Sequence, residues 1–532
     1  MASTLKENKY ITALLVITLV FIGLTFSNIP GPGVSTSVQT IDGVIFDFAD
    51  YTALNKEQIG MFNYFDGLIT DRALNSWEDW YADGPYTGMR HYMTAFTMYV
   101  LSAFFESTPG YRTSLYEEAA NTLVKRMNTT IDDFGNDSIE YWEWGRTSYP
   151  LYYYPDPDNP ADLYVGGFRG PTNIMWTGHF ALMEALFERN FNTGEFTDEL
   201  TWFVEDWETS LTTDGYGNPQ DGGIWTNGLI PCEPFVSFPN CNSIPIFATD
   251  LFDNMYGSSY MDTGMWDVGL DYINNEMQDE YGLFLPSVAV SPHLGSDEPL
   301  DSYPRISEGS SSYITSWTML FLESLQEDET VSDYPALLDA YSLDVAGDQM
   351  YMMGSYLRPG SFTDTDTILG SLFTLALANQ RGDLQTVQRL RNFWLDPCNK
   401  VWSADGRAFH YEGGAAALSR FLEPVLTGLG TWGTLPVYMR DLAEARPAGF
   451  WDWPYISAAD DDSIWVYQAE WDSVKSGFVL NIQVDQEATI TFSNFDDAPT
   501  AYSMGSIFAE LTSAGGNHIL TLAPGSYHLV IK

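Results

Sequence analysis

Three cysteines, six histidines and very few lysines leave this 532-residue chain short of the usual catalytic hardware. It has no Gly-rich phosphate cradle ending in Lys-Ser/Thr, no dinucleotide fingerprint, no H-E-x-x-H and no paired C-x-x-C. An aspartate-rich D-D-x-x-D helix that would hold magnesium against a diphosphate is also missing. "IDDFGND" (Ile131–Asp137) contains glycine and lacks helical context. Any chemistry therefore falls to side chains, with neither cofactor nor metal expected. Positive charge is scarce too: 23 Lys and Arg stand against 72 Asp and Glu, a net charge of −49. That field repels phosphate, which excludes a nucleic-acid partner. The carboxylates are spread rather than blocked, as on a solvated acidic surface suited to salty water. What is abundant is apolar: 45% hydrophobic and 15% aromatic residues fill a sizeable core.

The N-terminus reads as a targeting segment. Lys6 and Lys9 precede an uncharged apolar run from Tyr10 to Phe26. Its length is at the short edge of what spans a ~30 Å hydrocarbon layer. No A-x-A cleavage site follows, so residues 1–27 are predicted to be an uncleaved anchor rather than a cleaved signal. The basic flank places the bulk of the protein outside the cytoplasm, membrane-anchored or secreted. "NIPGPGVSTS" opens a linker over 28–50.

From about Tyr51 to Ala445 apolar residues recur at i, i+3, i+4 and i+7 in one segment after another. "LYEEAANTLVKRM" stripes Ala119, Ala120, Leu123, Val124 and Met127; "NIMWTGHFALMEALFERNF" does the same with Ile174, Met175, Leu182, Met183, Leu186 and Phe187. Long aromatic loops separate these helices, and long loops in compact domains tend to be functional. The pattern predicts a mainly α protein, an (α/α)6 toroid over 51–446 with its loops gathered at one mouth. After "ARPAGFWDWPYISAADDDS" the period becomes two, predicting a small β-sandwich-like domain over 447–532. "AADDDS" (458–463) lacks the ligand spacing of a calcium loop and reads as a solvated linker.

Two spots carry chemistry. Met175 and His179 stand one turn apart on one helix face, where His179 is either a satisfied core histidine or a donor facing a cavity. In "PCEPFVSFPNCNSIPIF", Cys232 and Cys241 flank Glu233. They are either a disulfide closing a loop or thiols beside a carboxylate whose burial suits it to acid–base work. Tyr313 opens a helix, where its hydroxyl can reach into the mouth.

The segments "CEPFVSFPNCNS", "NIMWTGHFALM", "SYITSWTM" and "LGSLFTLALANQRGD" resemble, in order and with similar spacing, those of the linalool dehydratase/isomerase family. The resemblance runs from about Tyr141 to Leu435. It implies a toroid of six helix pairs and a cofactor-free site for a small allylic terpene alcohol or its alkene, often built with a neighbouring subunit of a homo-oligomer. Carried over, Cys232, Glu233 and Cys241 lie on the reactive side. His179 and Tyr313 hold or protonate the hydroxyl, and Met175 and Trp176 line the pocket. Asp83 and Tyr92 stand for the family's aspartate and tyrosine near the first barrel helix. The implied reaction is dehydration or isomerisation by side-chain acid–base catalysis. Two other readings compete. A carbohydrate-active toroid would use Trp142, Trp144 and Trp225 for sugar stacking, with paired carboxylates from Glu140, Glu143, Asp221 and Glu233. A non-catalytic scaffold would keep the toroid and bury His179 and a Cys232–Cys241 disulfide by packing alone.

Overall fold

The computed structural model describes residues 37–71, 73–74, 76, 90–127, 154–155, 163–164, 174–213, 218–225, 227–232, 236–289, 309–323, 325, 327–345, 347–354, 365–413 and 428–532. The protein is mainly helical, with antiparallel sheets at its C-terminal end. The helices named here are α1 (Lys56–Thr70), α2 (Arg90–Ser107), α3 (Ser114–Met127), α4 (Ile174–Phe191), α5 (Thr197–Thr212), α6 (Pro239–Tyr256), α7 (Asp267–Asn275), α8 (Ser312–Leu322), α9 (Glu327–Tyr341), α10 (Thr365–Gln380), α11 (Leu384–Trp394) and α12 (Met439–Ala443).

They divide by composition into two kinds. Along α4 every residue from Ile174 to Asn190 is buried, and along α8 every residue except Tyr313. A helix apolar all round must be enclosed by others. By contrast α3, α5 and α11 bury one stripe each, such as Leu200, Phe203, Val204, Trp207 and Leu211 in α5. The enclosed helices α2, α4, α6, α8 and α10 pack in chain order, each on the next, and α3, α5, α9 and α11 pack outside them.

The inner helices run the same way. Near their N-termini the Tyr92 ring of α2 meets His179 of α4 at 5.4 Å and Trp317 of α8 at 5.9 Å. Deeper in, Tyr99 and Phe247 both meet Phe321. At the C-terminal ends Arg189 of α4 pairs with Glu106 of α2 at 2.8 Å. The bundle therefore has a mouth, where N-termini gather, and a base.

Close approach of α4 to α6 depends on Gly178. A Cβ there would stand 2.9 Å from Cδ of Pro245, a ring that cannot rotate away. Alanine gains about 1 kcal/mol of helix propensity over glycine, but overpacking costs about 1–3 kcal/mol. Gly178→Ala is expected to lower the thermal unfolding midpoint, and an unchanged or raised midpoint would show that the two helices have room to part.

The C-terminal strands form two antiparallel sheets. One has five strands in the order Ile464–Asp472, Gly477–Val484, Gly525–Ile531, Thr500–Ser503, Ser506–Glu510. The other has four: Tyr455–Ala459, Ala488–Ser493, Asn517–Leu522, Thr512–Ala514. Inward residues alternate, and Phe478 meets Phe492 between the sheets at 5.5 Å. This unit is seated on the base of the bundle. The turn after α2 is gripped by the sheets through Gly110 N–H to Ala469 O, Ile456 N–H to Gly110 O and Arg112 N–H to Ile456 O, at 2.8–2.9 Å.

Two sequence readings change. The linker predicted over 28–50 gives way at Val38: Val38–Ile41 and Val44–Asp47 pair as a hairpin through an Asp42-Gly43 turn with positive φ at both residues. Its Ile41 and Phe46, with Phe48 just beyond, are buried against Val479 and Val530, so the hairpin belongs to the sheet unit. "AADDDS" is not a solvated linker either. Tyr455–Ala459 is a sheet strand, and Asp461 accepts from the Tyr111 hydroxyl while its carbonyl accepts from Arg407 at 2.7 Å. The predicted anchor, 1–27, lies outside the described residues; among those described, no helix is long and apolar enough to cross a membrane.

Where sheets meet bundle, Glu470 is pushed up to about 7, mainly by burial, then by the charges of Asp472 and Glu106. An acid whose folded pKa exceeds its unfolded value binds more protons when folded, so its ionisation opposes folding as pH rises. Stability is expected to fall between pH 5 and pH 8 by on the order of 1–2 kcal/mol from this group. Glu470→Gln should flatten that slope in melts taken across the range; a wild-type melting point that rises toward pH 8, unaltered by the substitution, would refute the assignment.

Candidate functional site

The mouth is assembled by backbone and amide hydrogen bonds. Asn242, in the first turn of α6, accepts from Ile230 N–H at 3.0 Å and donates to Ile230 O at 3.0 Å and Phe238 O at 3.1 Å. The first N–H of α4, on Ile174, donates to Pro231 O at 3.1 Å. The strand of chain before Cys232 is thereby laid across the N-termini of α4 and α6. Cys232 N–H then closes a turn onto Val236 O at 2.9 Å. These bonds bring Cys232, Cys241, Met175 and His179 to the same end of the bundle. All three cysteines are buried thiols, and the structure shows no Cys232–Cys241 disulfide.

His179 is fully buried in a cage of rings. Tyr99 of α2 meets its Nδ1 through the phenol oxygen at 2.6 Å. Phe96 stands edge-on at 5.8 Å and Trp317 of α8 at 5.7 Å. Trp317 is in turn stacked on Phe373 of α10 at 4.7 Å. Above the cage the Tyr92 hydroxyl contacts Met175 Sδ, and half-buried Tyr313 lies 6.3 Å from Trp317. Four inner helices thus enclose one imidazole.

The electrostatics follow from burial. Enclosure in hydrocarbon pushes the Tyr99 phenol well above its ordinary range, so it stays protonated. When that phenol donates to Nδ1, the imidazole carries its proton on Nε2, at the opposite edge of the ring. A neutral imidazole fixed this way donates a hydrogen bond through Nε2–H, and can pass that proton on only as Nδ1 takes the Tyr99 proton in its place.

Among the residues singled out from sequence, the structure gathers Tyr92, Met175, His179, Tyr313, Cys232 and Cys241 at the mouth. Glu233 and Asp83 lie outside the described residues, as do Glu140, Trp142, Glu143 and Trp144. Trp176 is fully buried; its ring meets Phe180 in a tilted contact at 4.8 Å, and Phe180 in turn reaches Phe203 of α5 at 5.9 Å, on the side of the inner helix toward the outer one rather than the pocket the sequence reading gave it. Trp225 is fully buried and cannot stack on a sugar, while Asp221 is exposed. Tyr99, Phe96, Trp317 and Phe373 were not singled out. Three of them had a signal, since Phe96 and Tyr99 follow Tyr92 at i+4 and i+7, and Trp317 follows Tyr313 at i+4. Among the described residues no group of three or more His, Cys, Asp and Glu is placed to hold a metal ion.

Among solved structures, the chain is similar to a family 105 glycoside hydrolase from C. acetobutylicum ATCC 824, with TM-score 0.43 and 10% identity over 73% of this chain and 99% of that one. It is also similar to a family 76 glycoside hydrolase from a bovine Bacteroides thetaiotaomicron strain, with TM-score 0.40 and 11% identity over 73% and 77%. Likeness this distant carries no argument about activity. The family model described as linalool dehydratase/isomerase matches residues 225–414. That span holds Cys232, Glu233, Cys241 and Tyr313, while Tyr92, Met175 and His179 precede it. The loop and helices that deliver both thiols to the mouth therefore fall inside the match, which spans residues 225–414 of the 532-residue chain.

Proposed function

We propose that the protein dehydrates or isomerises a small allylic, terpene-like alcohol by acid–base catalysis from its side chains, in the mouth of an (α/α)6 toroid. The observation that carries the reading is the Tyr99–His179 pair. It is sealed in an aromatic cage at the end of the bundle where the thiols of Cys232 and Cys241 also lie. The family match supports it at the level of reaction class.

The alcohol's C–O bond breaks as its oxygen takes the proton of His179 Nε2–H while the Tyr99 hydroxyl proton moves onto Nδ1, so the imidazole stays neutral, with Tyr313 or Tyr92 holding the hydroxyl. The departing group is water. The electron pair of an adjacent C–H bond forms the new double bond, and that proton passes to a base on the cysteine side, Cys232, Cys241 or Glu233. The allyl system spreads the positive charge that develops between these steps. The faces of Tyr92, Phe96 and Trp317 stabilise such charge, and they do so best in a water-poor site. Water returning to the far end of the allyl system gives isomerisation; addition to the alkene is the same path reversed.

We also place the chain at a membrane, held by the apolar run 10–26, with the mouth outside the cytoplasm. The defining experiment incubates the protein with a panel of short allylic alcohols under reducing conditions and looks for dienes and rearranged alcohols in the headspace. Diene from at least one alcohol supports the reading. Release of sugar from glycans with no diene would replace it by the carbohydrate reading, and neither product would favour the scaffold.

A further inference from the structure

The sheet unit presents apolar side chains that nothing in the described structure covers. The hairpin lays Ile41 and Phe46 on the five-stranded sheet and turns Val38 and Ile45 outward, 54% and 59% exposed. Beside it, Gly505 is held by Gln39 Oε1, and the Gly505 Cβ position lies 3.0 Å from Thr40 O, so the turn at Met504–Gly505 abuts the hairpin. Met504 in that turn is 91% exposed, and Ile507 on the strand that follows is 67% exposed. That strand, Ser506–Glu510, is one of the two edges of its sheet. Scattered apolar side chains need no explanation, but a contiguous group beside an open edge marks an interaction surface.

The chain itself indicates the occupant. The hairpin begins at Val38, and the apolar run ends at Phe26. The eleven residues between them, 27–37, reach at most about 40 Å when fully extended. A bilayer holding the run therefore lies within that distance of the hairpin. We propose that Val38, Ile45, Met504 and Ile507 form a lipid-contact face that settles the sheet unit on the membrane surface. This rests on the anchoring reading given above. The sheets grip the base of the bundle, so the face leaves the mouth at the other end clear. Asp42, Asp47 and Asp50 rim the hairpin, which favours a zwitterionic surface and high salt, where the Debye length shrinks to about 3 Å.

The test uses the full chain carrying Met504→Cys, labelled with an environment-sensitive fluorophore; the three native thiols are buried. It is reconstituted into phosphatidylcholine vesicles containing nitroxide-bearing lipid, in molar salt. The same label at Glu205→Cys, on the outer face of α5, is the reference. The expected result is that protein floats with the vesicles and that the label at 504 is quenched several-fold more than the label at 205. Adding Ile507→Asp to the labelled chain should remove most of that difference. Flotation with equal quenching at both sites overturns the lipid face while leaving the anchor standing. Flotation with no lipid quenching but crosslinking through position 504 to a second copy overturns it in favour of a subunit interface. A chain that does not float overturns the anchor and the face together.

Discussion

His179→Ala is expected to lower turnover of a responsive allylic alcohol by about 10²–10⁴-fold, the range that one positioned acid–base group supplies. The imidazole is fully buried, one edge tied to Tyr99 and the ring boxed by Phe96, Tyr92 and Trp317. Alanine removes the proton donor and opens a void, so a drop in rate alone would not separate chemistry from packing. Tyr99→Phe separates them. It keeps the aromatic volume and removes only the oxygen that fixes the imidazole tautomer. Its expected effect is smaller, about tenfold, and falls on kcat more than on KM, because holding a tautomer matters when the proton moves. The pH–rate profile should also shift, since the hydroxyl partner of Nδ1 is gone. Circular dichroism and the melting curve establish that both variants are folded. A His179→Ala enzyme that retains wild-type turnover would remove the imidazole from the mechanism. A Tyr99→Phe enzyme altered only in stability would reduce the pair to packing.

Much of this arrangement is legible without coordinates, because helices advertise their buried faces. Met175 and His179 at i and i+4 imply one face, and the structure puts both at the mouth. The same arithmetic applied from Tyr92 and Tyr313 leads to Phe96, Tyr99 and Trp317. What it cannot supply is the partner across the bundle: nothing in the spacing of Tyr99 and His179, eighty residues apart, says that their polar atoms meet. Trp176 shows the opposite hazard. On a helix buried on every side, each residue looks like a pocket candidate, and only packing tells the inner face from the one toward α5. The hairpin at Val38 was hidden by its neighbourhood. Its "IDGVIF" carries the Asp-Gly signal for a two-residue turn, but it follows Pro-Gly-rich chain and finds its sheet more than four hundred residues later. Similarly, "AADDDS" reads as solvated because its aspartates are contiguous, and Tyr111 and Arg407, which fix Asp461, come from segments 350 and 54 residues away in the chain.

The largest stability loss is expected at the base, from Glu106→Ala. Glu106 joins two guanidinium groups, Arg189 at 2.8 Å and Arg446 at 2.6 Å. Arg189 also donates to Asp441 O at 2.6 Å and Glu444 O at 2.7 Å, tying α12 to α4. Burial alone would raise the Glu106 carboxyl, but Arg446 and Arg189 more than offset it and hold it below its ordinary range. Burial and the neighbouring Arg189 in turn push Arg446 down to about 9. Removing the carboxylate leaves two like charges facing each other out of water, which costs about 3–5 kcal/mol. Glu106→Gln keeps an acceptor without the charge and should lose less. Both losses are read from urea unfolding, followed by tryptophan fluorescence for the bundle and far-ultraviolet circular dichroism for the sheets. A Glu106→Ala loss below about 1 kcal/mol would mean that the arginines are solvated or paired elsewhere. The pH signature gives an independent check. A carboxyl depressed in the folded state stabilises above its unfolded pKa and loses that contribution as pH falls through the folded value. The Glu106 contribution is therefore present at neutral pH and lost in acid, whereas that of Glu470, raised in part by Glu106's own charge, turns against folding as pH rises. Neutralising Glu106 should lower the Glu470 pKa as well. Glu106→Gln is then expected to weaken the protein at neutral pH, to converge on wild type in acid, and to flatten the decline toward pH 8, a combined change that loss of packing alone would not produce.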